Sequence, residues 1–169
     1  MKLTYQDLLE KMTNMEMLAI PPEKGEMGGN FSSYDRNSSY DPSTDTYSQW
    51  GANRDCDGYI RMEKDRLVAF EMEGPGVIWR IWSANPQEGH IRIYTENEQK
   101  EKMDMPFRKL FERYAYDESR VEWPANFPEL MPILSRGRNR FIPIPFNHYC
   151  KVTLDPGWGE FYHITYTKF

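Results

Sequence analysis

The hydrophobic and polar positions fall into two periods. Near the N-terminus Leu8, Leu9, Met12 and Met15 recur at helical spacing. Thr4 stands three residues before Asp7 as a capping box, and Leu3 and Leu8 are placed to staple across it. A short amphipathic helix is expected, ended by Pro21-Pro22. From Glu23 to Gly58 no period is sustained, while Gly, Ser, Asn, Asp and Tyr abound, which predicts a loop of about thirty residues. Loops of that length in compact domains are usually functional. After Gly58 short β-like runs alternate with turn residues. Arg66 to Glu73 and Val77 to Ser83 flank Gly74-Pro75-Gly76 and are expected to pair as a hairpin. His90 to Tyr94 alternates, with Ile91 and Ile93 on one face and His90, Arg92 and Tyr94 on the other. Phe141 to Pro145, Tyr149 to Leu154 and Phe161 to Thr167 are further strands. Met103 to Pro132 is broken by four prolines around a short helical stretch, Phe107 to Tyr114. The pattern predicts an all-β fold, an antiparallel jelly-roll sandwich with a short N-terminal helix. Residues 1–22 form the helix and linker, and 23–169 form a single jelly-roll domain.

Composition narrows the chemistry. Apolar residues make up only 39% of the chain, but a 15% aromatic share supplies large buried areas and argues for a folded core. The net charge is -5 with no Lys/Arg stripe, so nucleic acid is not an expected partner. No apolar run is long enough to span a bilayer, and Met1 to Glu10 lacks a secretory hydrophobic stretch; a cytoplasmic protein without membrane association is expected. Cys56 and Cys150 show no CxxC spacing and read as buried or half-buried free thiols. His90, His148 and His163 have no metal-ligand spacing, and no phosphate-cradling glycine loop or GxSxG string is present, so neither metal nor cofactor is expected.

Four segments carry candidate chemistry. Phe31-Ser-Ser-Tyr-Asp-Arg36 gathers hydroxyls, a phenol, a carboxylate and a guanidinium, the mixture that recognises vicinal sugar hydroxyls. The same groups could equally hold a long loop together through side chain to backbone bonds. Trp50 could stack on a sugar ring or join a core. Asn53-Arg-Asp-Cys-Asp-Gly58 opens like a calcium loop but has Lys64 where the bidentate Glu is required, so a tight Asp-Gly turn is preferred. Glu71 and Glu73 share a strand face, as a glycosidase pair or an acidic solvent face would. Arg80 and Trp82 share a face too, fitting a binding floor or a cation–π cover over a sheet.

Taken in order, Phe31-Ser-Ser-Tyr-Asp-Arg36, Gly58-Tyr-Ile-Arg61, Glu73-Gly-Pro-Gly-Val-Ile-Trp-Arg-Ile-Trp-Ser83, His90-Ile-Arg-Ile-Tyr94, Ile142-Pro-Ile-Pro-Phe146 and Pro156-Gly-Trp-Gly-Glu-Phe-Tyr-His163 resemble the N-terminal half of glycoside hydrolase family 172. The resemblance implies the first of two jelly rolls in a protomer that assembles as trimers or hexamers. It implies a retaining mechanism on fructofuranosides or arabinofuranosides, with two catalytic glutamates in the second half, beyond Phe169. Catalytic residues in this chain are therefore unassigned. Because the family's site is built between protomers with this loop, the resemblance implies substrate contacts at Ser33, Asp35 and Arg36, with Trp50, Arg80 and Trp82 as further candidates. Thr95-Glu-Asn-Glu98 departs from the usual Asp-Gly hairpin turn and lengthens that loop.

Two functions of different class follow. One is a furanosidase part that contributes substrate contacts at a subunit interface, its partner being a furanoside or oligosaccharide. The other is a non-catalytic oligomeric module that binds carbohydrate or serves in assembly. A complete glycosidase using Glu71 and Glu73 is a third and less supported option. A jelly roll without its second half would expose apolar surface, so association into a homo-oligomer, or with a separately encoded second jelly roll, is expected.

Overall fold

Two antiparallel sheets face each other across an aromatic core in the computed structural model, which describes residues 4–56, 58–96, 99–112 and 128–169. The strands are β1 (Met27–Ser32), β2 (Ser39–Asp41), β3 (Thr46–Ser48), β4 (Arg61–Glu63), β5 (Arg66–Glu73), β6 (Gly76–Pro86), β7 (His90–Thr95), β8 (Met103–Pro106), β9 (Ile133–Leu134), β10 (Gly137–Arg140), β11 (Ile144–Phe146), β12 (Tyr149–Leu154) and β13 (Gly159–Lys168). One sheet runs β1-β13-β6-β10-β9, with β11 also on β6; the other runs β4-β5-β12-β7-β8. If β10 and β11 count as one interrupted strand, the successive long strands alternate between sheets except at the β7–β8 hairpin, as in a jelly roll: β1, β13, β6 and β10/β11 in one sheet, β5, β12, β7 and β8 in the other. The expected fold class is observed.

The helix α1 (Tyr5–Thr13) begins on the expected box. The Asp7 N–H donates to Thr4 Oγ1 at 3.2 Å and the Thr4 N–H to Asp7 Oδ2 at 2.6 Å. Of the periodic apolar residues, Leu8 is buried while Leu9 and Met15 are exposed, the latter in a 3-10 turn, Met15–Ala19. Leu3, the other half of the expected staple, lies outside the described residues.

Three expectations are corrected. The strands on either side of Gly74-Pro75-Gly76 do not pair: β5 lies against β12 and β6 against β13, in opposite sheets. The corner is built for crossing, since the Gly74 N–H donates to His148 O at 2.8 Å and a side chain on Gly76 would meet the Phe146 ring and the Thr167 carbonyl. A crossing sets Phe70 on β5 and Ile78 and Ile81 on β6 into one core, where a hairpin would have left both strands in one sheet. The segment from Glu23 to Gly58 is not loop throughout; it holds edge strand β1 and the hairpin β2–β3. Gly28, Gly29 and Asn30 are poor strand formers, and pairing with β13 imposes the strand. Gly29 is the residue that fits there, because a Cβ would collide with the Tyr166 ring. Finally, the strand expected from Phe141 begins only at Ile144, because Pro143 has no N–H for the ladder and separates β10 from β11. The expected helical stretch is a 3-10 helix, Phe107–Phe111, and Tyr114 lies outside the described residues.

Phe70 is fully buried at the centre, with ring centroids 5.0 Å from Phe31, 5.7 Å from Tyr166 and 6.2 Å from Phe146. Towards one end Trp158 packs 5.7 Å from Tyr162 and 6.1 Å from Phe107. Cys150 is a buried thiol whose pKa burial raises, Cys56 is half-buried, and neither is in a disulfide. Phe70→Ala is expected to cost about 3–5 kcal/mol of stability, seen as a lower urea midpoint at unchanged slope; a loss under about 1 kcal/mol would contradict Phe70's place at the core centre.

Candidate functional site

Where β1 ends and β13 begins, the sandwich carries a cleft of about 1190 Å³ lined by Asn30, Phe31, Tyr34, Asp35, Arg36, Arg54, Trp158 and Glu160 among others. Its wall is the segment from Phe31 to Arg36, and three sets of bonds hold that segment.

The first set fastens the wall to β13. The Ser33 N–H donates to Tyr162 O at 3.1 Å, and the Tyr162 N–H donates to Ser33 Oγ at 3.2 Å. The Gly58 N–H donates to Ser33 O, while the Tyr162 hydroxyl donates to Gly58 O at 3.0 Å. A Cβ on Gly58 would run into the backbone of Ser33 and Tyr34, so glycine sets how closely the two segments approach. Burial, working against the nearby Arg36, pushes the Tyr162 phenol up to about 12.

The second set centres on Asp35. Its carboxylate accepts the Asn37 N–H at 2.9 Å and the Arg54 N–H at 3.0 Å, and its own N–H donates to Asp55 Oδ1 at 3.1 Å. These bonds, that from Asn37 foremost, hold the carboxyl below the usual aspartate range. The third set orients Arg36. Its guanidinium donates to Ser32 O at 2.8 Å and Tyr34 O at 3.0 Å and lies 3.6 Å from the Tyr34 ring centre. A guanidinium held by two carbonyls and packed over a ring has little rotamer entropy left to lose when it binds a ligand.

The structure thus brings together Asp35 and Arg36 in the cleft and sets Ser33 behind its wall. Ser33 and Asp35 already accept backbone N–H groups, the loop-holding alternative the residue types allowed, and Asp35 keeps further acceptor sites. Trp50 is 82% exposed beyond β3 and is not part of the lining. Arg80 and Trp82 lie outside the lining, on the face of the six-stranded sheet away from the core. There the Arg80 Nε donates to Asn139 Oδ1 at 2.9 Å, and the guanidinium stands 5.9 Å from the Trp82 ring and 5.8 Å from Phe141. Trp82 meets His163 edge-on at 5.0 Å, and burial, helped by Arg80, lowers the His163 pKa. Asn30 joins this patch to the cleft, its amide 3.4 Å from His163 Nδ1.

Glu71 and Glu73 fall on the far face of the other sheet. Glu71 is ion-paired to Arg61 and accepts the Tyr149 hydroxyl at 2.6 Å, and Arg61 before all else lowers its pKa. A carboxylate held ionised in this way is unsuited to serve as a general acid. Lys151 and Glu63, 3.0 Å apart, extend the same ladder.

Sequence reasoning gave no role to Trp158, Glu160, Tyr162, Asn30 or Arg54. The available signal was the Gly157-Trp-Gly159 turn, whose glycines adopt φ of 78° and 114°, aiming the chain back along β13 past the cleft. Among the described residues no His, Cys, Asp and Glu cluster could hold a metal ion, and no helix is long and apolar enough to cross a membrane. The Asp57 of the calcium-like string and the Asn97 and Glu98 of the lengthened loop lie outside the described residues.

These features define an antiparallel β-sandwich whose polar, aromatic-walled cleft is made by end loops. The family description GH172 first beta-sandwich domain matches residues 24–169, and the chain belongs to that family, a carbohydrate-active one. No curated protein matches the chain.

Because Asp35 is more acidic in the folded chain than in the unfolded one, its contribution is fully present above the ordinary aspartate pKa and is lost as pH falls through the lower, folded value. Asp35→Asn is therefore expected to lower the melting temperature at neutral pH, with the gap from the unsubstituted chain narrowing towards about pH 3. Melts followed by circular dichroism check this; a gap that stays constant with pH would show that the charge is immaterial.

Proposed function

We propose that this jelly roll is the substrate-contacting part of a retaining furanosidase acting on fructofuranosides or arabinofuranosides, its cleft forming one wall of a site shared between subunits. The observation that carries this is Arg36, fixed on the Tyr34 ring at the cleft wall with N–H groups left for a ligand. A guanidinium can span two neighbouring hydroxyls, and Asp35 and Glu160 supply acceptors in the same cleft. The exposed half of Tyr34 offers an apolar surface for the ring carbons.

A retaining mechanism needs two carboxyl groups about 5–5.5 Å apart, one of them able to carry a proton. Asp35 is engaged with two backbone N–H groups and kept acidic, which suits it to binding and not to proton donation. The acid and the nucleophile are accordingly assigned to glutamates of a second sandwich, in keeping with a family domain described as the first. The alternative, an oligomeric assembly block, draws on edge strand β9, where Ile133 and Leu134 are each 60% exposed.

Titration calorimetry with methyl arabinofuranoside and methyl fructofuranoside, on the chain alone and mixed with a second-sandwich polypeptide, tests the proposal. Arg36→Ala is expected to weaken binding roughly tenfold or more with an unchanged circular dichroism spectrum. Absence of binding and cleavage for both sugars in both preparations would sink the proposal. A change of oligomer mass in Arg36→Ala with no change in binding would favour assembly.

A further inference from the structure

The hairpin β2–β3 belongs to neither sheet, and every residue from Ser39 to Gly51 is exposed. An isolated two-stranded hairpin is marginal in water, so this one needs local support, and it has it. Ser39 and Ser48 hydroxyls meet at 2.7 Å across the strands, and the Tyr40 and Tyr47 rings, directly paired, lie 5.0 Å apart. The Tyr40 hydroxyl donates to Asp45 Oδ1 at 2.8 Å, and Asp41 Oδ1 accepts the N–H and hydroxyl of Ser43. The arm is also clamped at its root: the Asp35 carboxylate receives the N–H of Asn37 on the outgoing side and of Arg54 on the returning side, and both residues line the cleft. The arm therefore rises directly from the cleft rim.

Its composition limits what it can grip. From Asn37 to Asn53 the chain contains no Leu, Ile, Val, Met, Lys or Arg; it carries Tyr40, Tyr47 and Trp50 among hydroxyls, amides and two aspartates. Protein interfaces take their anchors from Arg and Met as well as from Tyr and Trp, and anionic ligands need cations; the arm has no Met, Lys or Arg. Aromatic faces set among neutral hydroxyls and acceptors fit the alternating apolar and hydroxyl faces of an uncharged sugar. We infer that this arm is a distal subsite for an uncharged furanoside oligosaccharide, with Trp50 and the Tyr40–Tyr47 pair contacting sugar units beyond the one held in the cleft. The inference rests on the cleft being a furanoside site, and it adds a preference for chains over single sugars. Trp50 is the primary contact, because at 82% exposure its indole is the most accessible of the arm's three aromatic side chains.

The test compares affinities of the full chain, in the preparation that binds sugar, for methyl arabinofuranoside and an arabinofuranose pentasaccharide, and for the corresponding fructofuranose pair. The pentasaccharide of one series is expected to bind roughly tenfold more tightly than its methyl glycoside. Trp50→Ala is expected to remove most of that difference while leaving methyl glycoside affinity unchanged, and Trp50→Phe to restore most of it. Tyr47→Ala gives a second variant remote from the cleft, expected to act in the same direction. Equal affinity for the short and long ligands, or equal weakening of both by Trp50→Ala, overturns the subsite while leaving the cleft reading intact. Failure of the unsubstituted chain to bind any methyl furanoside instead removes the reading on which the subsite rests. A fall in oligomer mass for Trp50→Ala in sedimentation equilibrium, with the chain-length preference retained, overturns the subsite in favour of a protein contact.

Discussion

Tyr162 joins the core to the cleft, and much of the molecule is arranged around it. Its ring is fully buried against Trp158, its hydroxyl is spent on the Gly58 carbonyl, and its backbone exchanges hydrogen bonds with Ser33. One residue thus ties β13, the wall from Phe31 to Arg36 and the entry to β4. A buried phenol without a partner would cost roughly 1–3 kcal/mol, so the Gly58 carbonyl is required as well as convenient. Gly58 in turn has to be glycine, because the carbonyl it presents lies where a Cβ would crowd Ser33 and Tyr34. The cleft wall is therefore placed by core packing, and its geometry does not depend on the loop's own side chains finding one another in solvent.

The two outward faces of the sandwich solve different problems. Across β4, β5 and β12, Arg61, Glu63, Glu71 and Lys151 form a ladder of paired opposite charges. Lys151 is buried, but it has Glu63 at 3.0 Å and the Tyr94 ring at 5.3 Å, so its charge is compensated on two sides. The other sheet instead carries Arg80, whose pKa burial lowers, among aromatic rings and Asn139. Among the described residues Arg80 contacts rings and an amide and makes no ion pair with a carboxylate, whereas Arg61 pairs with two.

Strands with strong period-two texture were legible from the residues: Tyr149 to Leu154 forms β12 at those bounds, and Ile91 and Ile93 point into the core as alternation requires. The capping box of α1 was equally legible, because Thr4 and Asp7 interact within one turn. What escaped were features decided by distant partners. Nothing local in Met27 to Ser32 reveals a strand, since β13 supplies its pairing and Tyr166 the reason for Gly29. The Gly-Pro-Gly corner looks locally like a hairpin turn, and only the competition of β12 and β13 for β5 and β6 makes it a crossing. Among site residues, Asp35 and Arg36 drew notice through residue type alone, whereas Trp158 and Tyr162 enter the site through long-range packing.

The side chains that suggested sugar binding are also the ones that hold the loop, and the two roles support each other. Asp35 accepts two backbone N–H groups and Arg36 gives N–H groups to two carbonyls, so both side chains are immobilised before any ligand arrives. Fixing a free Arg side chain on binding would cost up to about 2 kcal/mol of rotamer entropy, comparable to the net worth of a hydrogen bond. Here that cost is met during folding. Tyr34, half exposed beneath the guanidinium, keeps the charge at the surface while denying it alternative rotamers. A structural role for these residues is therefore no evidence against a binding role: in a site open to water, weak polar contacts with a sugar give useful affinity only where the groups making them have already been ordered.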